Sequence, residues 1–112
     1  MIYHIVKKKE FRNSQKDGQY HPASLEEEGF IHCSTSEEIE NTANTYYKGE
    51  NSLYLLVIDE SRVKQEIRYE QVEGRKHSMP HIMGPLNIDA ILDKIVLMPD
   101  KNGEFEIKIE ES

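Results

Sequence analysis

Short apolar runs alternate with polar, acid-rich stretches along the chain. Residues 2–6 are β-branched and aromatic, and predict a first strand. Residues 7–17 are polar around one aromatic, Phe11, and predict a short helix ending near Gly18. Ser24 precedes three acids, Glu26 to Glu28, and Gly29 follows. That order predicts a one-turn helix with a hydroxyl cap and a glycine exit. Phe30 to Ser34 reads as a short strand. A helix capped by Thr35 or Ser36 follows, with Ile39, Ala43, Tyr46 and Tyr47 as its buried stripe and Gly49 as its end.

Leu53 to Ile58 is the most apolar stretch and predicts a central strand. Asp59 to Ser61 turns the chain. Residues 67–72 alternate as a half-buried strand does. The segment from Gly74 to Pro85 reads as irregular, and Ile88 to Met98 as a turn and a strand. Asp100 to Gly103 carries an Asn-Gly hairpin signal, after which Phe105, Ile107 and Ile109 alternate with charges as a last strand. Six strands and two or three short helices predict an α+β domain with small, mostly antiparallel sheets.

Composition bounds this picture. The 112 residues fit one domain, 1–112, whose core is small because only 37% of residues are hydrophobic. A net charge of −7 repels phosphate backbones, so no nucleic-acid polymer is expected as partner. A single cysteine, Cys33, excludes an internal disulfide and any multi-cysteine zinc site. No apolar run approaches a membrane span, and the short apolar start precedes its lysines, unlike a signal peptide. A cytoplasmic protein without membrane partners is expected, and its oligomeric state is left open.

Three stretches combine residues suited to chemistry. Phe30-Ile31-His32-Cys33-Ser34-Thr35 places a histidine and hydroxyls ahead of a helix, where backbone N–H groups favour an anion or polar ligand. Met79 to Leu86 fixes His81 among two prolines and a glycine, which suits a binding or catalytic group. Tyr69-Glu70 puts a carboxylate on a strand, where it can steady a developing cation. The same residues also suit structural roles: helix caps, a packed crossover and a solvated strand face. No histidine spacing supports a metal site, so none is expected, and a zinc site from His4, His32, His81 and a carboxylate stands only as a third alternative. Walker, GxGxxG and GxSxG motifs are absent from the sequence.

Tyr3-His4-Ile5-Val6, Gly18-Gln19-Tyr20, Ser24-Leu25, Glu28 to Thr35, Tyr69-Glu70 and Pro80 to Leu86 together resemble the bacterial and plant domain-of-unknown-function family 952, from about Ile2 to Ile91. Phe11 stands where that family usually has tryptophan, and Met83 where it usually has tyrosine. The resemblance implies an ADP-ribosyltransferase-like fold, with small antiparallel sheets around a cleft for nicotinamide adenine dinucleotide (NAD). It implies a small nucleotide-like ligand and no certain cofactor, with NAD as a candidate substrate for glycosyl or ADP-ribosyl transfer or hydrolysis. Carried over by position, His4 would hold the ribose, and Phe30 to Thr35 would cradle nicotinamide, with Phe30, Ser34 and Thr35 as binding residues and His32 as a catalytic one. Glu70, beside the binding candidate Tyr69, would steady the transition state. His81 has no counterpart in that scheme and is a catalytic candidate that replaces or supplements one of these roles. The alternative is a non-enzymatic ligand-binding or interaction module of the same fold.

Overall fold

The structure is a computed structural model that describes residues 1–109. Strands β1 (Ile2–Lys7), β5 (Leu53–Ile58) and β9 (Ile91–Leu97) form an antiparallel sheet in the order β1-β5-β9. The apolar Leu53–Ile58 run is therefore central, as its composition predicts. Two smaller antiparallel sheets join it. One runs β2 (Gln15–Lys16), β3 (Gln19–Tyr20), β8 (Leu86–Asn87), and the other β4 (Ile31–His32), β7 (Met79–Ile82), β6 (Ile67–Glu70). Helices α1 (Lys8–Asn13), α2 (Ala23–Glu28) and α3 (Ile39–Tyr46) complete an α+β architecture.

Period-two alternation along β1 and β5 divides the core between the two faces of the main sheet. Ile2, Val6, Leu56 and Ile58 pack with Phe11, Tyr20, Ile31 and Ile82, so both small sheets and α1 cover that face. Tyr3, Ile5, Leu53 and Leu55 pack with Ile39 and Ala43 of α3 and with Phe105 on the other. β1 is buried on both faces because both layers meet there. Among the described residues, no helix is long and apolar enough to cross a membrane.

Several expected elements differ from those observed. The helix predicted over residues 7–17 stops at Asn13, and Gln15 to Tyr20 is a two-residue hairpin. Asp17 and Gly18 sit at its tip with φ of 54° and 76°, the pair of positive angles a primed turn requires. Ser24 is not the cap of α2. Pro22 precedes that helix, and the Glu10 carboxylate accepts from the Ala23 N–H instead. Gly29 does end it in the left-handed conformation. α3 begins later than expected, at Ile39, because Thr35 to Glu38 forms a separate turn that places the Thr35 carbonyl under two N–H groups. Tyr46 falls outside its buried stripe and is 61% exposed.

The prolines that suggested an irregular 74–85 segment conceal β7. Pro80 gives up a ladder donor in this central strand, while its carbonyl accepts from the Cys33 N–H just beyond the end of β4. The predicted 67–72 strand shortens to β6, whose last three residues are exposed. The last predicted strand is not a strand over its described part, and Glu110 lies outside the described residues. Phe105 and Ile107 take their backbone bonds from the side chains of Asn44 and Glu40 on α3, so the alternation serves packing without a ladder.

Candidate functional site

β1 lies at the edge of the main sheet, and β4 is brought beside it. Tyr3 and Ser34 exchange backbone hydrogen bonds of 2.9 and 2.7 Å, which bridge the two sheets. This contact sets His4 under the backbone of His32. The His4 Nδ1–H donates to the His32 carbonyl at 2.5 Å, and Nε2 accepts from the Tyr20 hydroxyl at 2.7 Å. A carbonyl only accepts, so a neutral ring has one consistent tautomer here. Burial pushes the His4 pKa down to about 4, so the ring is neutral at pH 7. Both its nitrogens are engaged inside the protein. His4 therefore joins β1, β3 and β4, and lines the cavity described below with its ring.

β4 and β7 pair in a register that puts His32 directly opposite His81. Residues directly opposite in a ladder project from the same face. Phe30 stacks on His81, with centroids 4.0 Å apart at 17°, and meets His32 edge-on at 4.6 Å. The two imidazole centroids are 5.6 Å apart. Each histidine has its own carboxylate. Glu70 Oε1 accepts from the His81 Nδ1–H at 2.9 Å, and Glu28 pairs with His32 Nε2. Glu70 reaches His81 because β6 flanks β7 and sets Arg68 opposite His81, with Glu70 two residues further along. Glu28 reaches His32 because Gly29 turns the chain between α2 and β4. With Nδ1 held by Glu70, a neutral His81 presents Nε2 as its acceptor.

These rings line a cavity of about 720 Å³ beside the edge of β1. Its walls also include Tyr20, Ser34, Thr42, Tyr47 and Arg75. Cys33 lines it too, but burial pushes its thiol pKa up, which leaves a poor nucleophile. Burial likewise raises the Tyr47 hydroxyl. Among the described residues, no group of three or more His, Cys, Asp or Glu side chains is arranged to hold a metal ion.

Of the residues singled out from sequence, His4, Phe30, His32, Ser34 and His81 meet at this cavity. Glu70 does not line it and connects to it through His81. Tyr69 turns away: it is half exposed, and its hydroxyl donates to Glu60 at 2.5 Å. Desolvation and that bond push its pKa up to about 12. Thr35 does not line the cavity, and its carbonyl closes the turn before α3. Three contributors were missed by sequence reasoning: Glu28, Thr42 and Arg75. Glu28 stands four residues before His32 across a glycine, a spacing that was readable. Thr42 and Arg75 come together only through the fold, so no local spacing marks them.

The arrangement defines an α+β domain in which, among the described residues, three antiparallel sheets surround a histidine-lined cavity. The chain belongs to the family described as protein of unknown function DUF952, which it matches over residues 5–94. It is similar in structure to protein CC0527 from Caulobacter crescentus. The crystal structure of that protein aligns with a TM-score of 0.83 at 25% identity, over 94% of this chain and 92% of that one. Its solution structure aligns at 0.77 and 26% identity, over 92% and 89%. A double mutant of the same Caulobacter protein aligns at 0.82 and 25% identity, over 94% and 92%. No curated protein matches the chain. What the likeness establishes is the α+β fold; the names of the matched structures carry no activity.

Proposed function

We propose that the cavity binds a nucleotide-like ligand of the NAD or ADP-ribose class, in a fold of ADP-ribosyltransferase type, and cleaves the nicotinamide glycosidic bond of NAD, with water or another nucleophile accepting the ADP-ribosyl group. The observation that carries the reading is the His32–His81 pair: two imidazoles on one wall, each with a carboxylate, flanking the Phe30 ring. In hydrolysis, the bond between ribose C1′ and nicotinamide breaks and its electrons leave with the base. Water attacks C1′ and gives its proton to His81 Nε2. Glu70 is a positioning residue in this scheme, since it fixes the tautomer and stabilises the imidazolium that forms. His32 holds a ribose hydroxyl, and Phe30 supplies an apolar wall for the departing ring.

A second reading, binding without turnover, draws support from the position of Glu70. Its carboxylate lies outside the cavity wall and is 47% exposed, so it does not face a developing sugar cation directly.

Thermal-shift titration with NAD, ADP-ribose and AMP, with nicotinamide release followed by chromatography, tests both. The expected result is stabilisation by ADP-ribose that is reduced in His81→Ala and His32→Ala chains that still fold. Release of nicotinamide supports hydrolysis, and stabilisation without release supports the binding reading. No shift with any of the three at millimolar concentration overturns the proposal.

A further inference from the structure

Among the described residues lining the cavity, Arg75 is the one lysine or arginine, in a protein of net charge −7. Its side chain is only 6% exposed. Burying a guanidinium is costly unless it is well paired. Glu38, the carboxylate that faces it, is also buried, yet Arg75 Nε stands 3.9 Å from Glu38 Oε1. Among the described residues, neither atom has a hydrogen-bond partner. A structural arginine–carboxylate pair closes to about 2.8 Å, often through two parallel bonds. This pair supplies charge balance without that closure.

Other groups hold the guanidinium in place. Arg75 Nη2 donates to Thr42 Oγ1 at 2.5 Å and to the Glu38 carbonyl at 3.3 Å, both on or next to α3. The Thr42 hydroxyl, accepting from Arg75, is then free to donate to Ser34 Oγ, 2.8 Å away. That direction leaves the Ser34 hydroxyl hydrogen unassigned, on a side chain that lines the same cavity. The chain of bonds therefore ends in donors on both sides, Arg75 and Ser34. It starts two residues beyond His32 on the chain that carries β4. A row of donors with a buried positive charge fits an anion.

We propose that Arg75 and Ser34, aligned through Thr42, form an anion subsite that takes the phosphate or diphosphate of the ligand. The subsite rests on the nucleotide reading for its ligand class but not for its existence. Glu38 competes with the anion for Arg75, so the pair is a built-in brake on affinity.

The test is calorimetric titration of the full chain with ADP-ribose, adenosine and inorganic pyrophosphate. Wild type, Arg75→Gln and Glu38→Gln are compared, with circular dichroism to confirm folding. Arg75→Gln is expected to weaken ADP-ribose and pyrophosphate by about tenfold or more and to leave adenosine unchanged. Glu38→Gln is expected to tighten both anions, an effect that a purely structural ion pair does not produce. Binding of pyrophosphate that depends on Arg75, without binding of ADP-ribose, keeps the subsite and removes the nucleotide reading. ADP-ribose binding that is equal in wild type and Arg75→Gln removes the subsite and keeps that reading. Failure of wild type to bind either anion overturns both. Where Arg75→Gln does not fold, Glu38→Gln decides: unchanged or weaker anion binding overturns the subsite.

Discussion

Replacing His4 with asparagine tests the claim that a neutral, buried imidazole holds β1, β3 and β4 together. The folded state keeps His4 neutral until about pH 4, against 6.5 for a solvated histidine. Between those values the unfolded chain binds more protons than the folded one, so stability rises with pH there. The contribution is complete above about pH 6.5 and is lost as pH falls toward 4. The full displacement corresponds to about 3 kcal/mol. By pH 5, about 2 kcal/mol of it is gone, since the unfolded histidine is by then almost fully protonated and the folded one is not. Asparagine keeps an amide donor near the position of Nδ1, within reach of the His32 carbonyl, and removes the titrating ring. It also orphans the Tyr20 hydroxyl, which costs about 1–3 kcal/mol at neutral pH. Urea unfolding at pH 7.5 and pH 5 measures both effects. The wild-type midpoint is expected to fall by roughly 1 M more than that of His4→Asn over this interval. Parallel losses in the two chains would refute the reasoning, because every other titrating group is common to both.

Two further outcomes follow from single contacts. Asn44→Ala removes the paired bonds of 2.9 and 2.7 Å to the Phe105 backbone, so residues 105–109 should become cleavable by limited proteolysis. An unchanged digestion pattern would show that Phe105 packing alone retains the segment. Cys33 is buried with its thiol pKa pushed up by desolvation, so a thiol reagent should label it in urea and at least about a hundredfold more slowly in the native protein. Rapid native labelling would refute its enclosure.

Legibility from sequence followed the range of the interactions involved. The central strand, Leu53–Ile58, was readable because burial on two faces leaves a continuous apolar run. The Gly29 exit was readable because a left-handed residue at a helix end has one ready solution. The Gln15–Tyr20 hairpin is equally local, through Asp17-Gly18, but the polar composition of residues 7–17 fits a helix and a hairpin alike. β7 was illegible for a different reason. Its strand state depends on β4 and β6 as partners, and Pro80 argues against a strand until those partners are placed. Tyr46 misled because a 3.6-residue period does not say how wide the covering layer is.

The site divides the same way. His32 and His81 stood out as single residues in unusual local company, yet their value lies in being opposed across a ladder, 49 positions apart in chain order. The bonds that His4 makes were not legible, because a ligand-binding histidine and a strand-joining histidine share one sequence signal. Only the positions of Tyr20 and the His32 carbonyl distinguish them. Arg75 had no signal at all, since its segment, Glu73-Gly74-Arg75-Lys76, reads as solvated loop. Its burial against α3 reverses that reading, because a charge removed from water must be compensated by something. Sequence patterns report what a residue does for its own element. A site assembled from β4, β7, α3 and a loop is therefore visible in sequence only where its residues are rare in such elements, as the histidines are and the arginine is not.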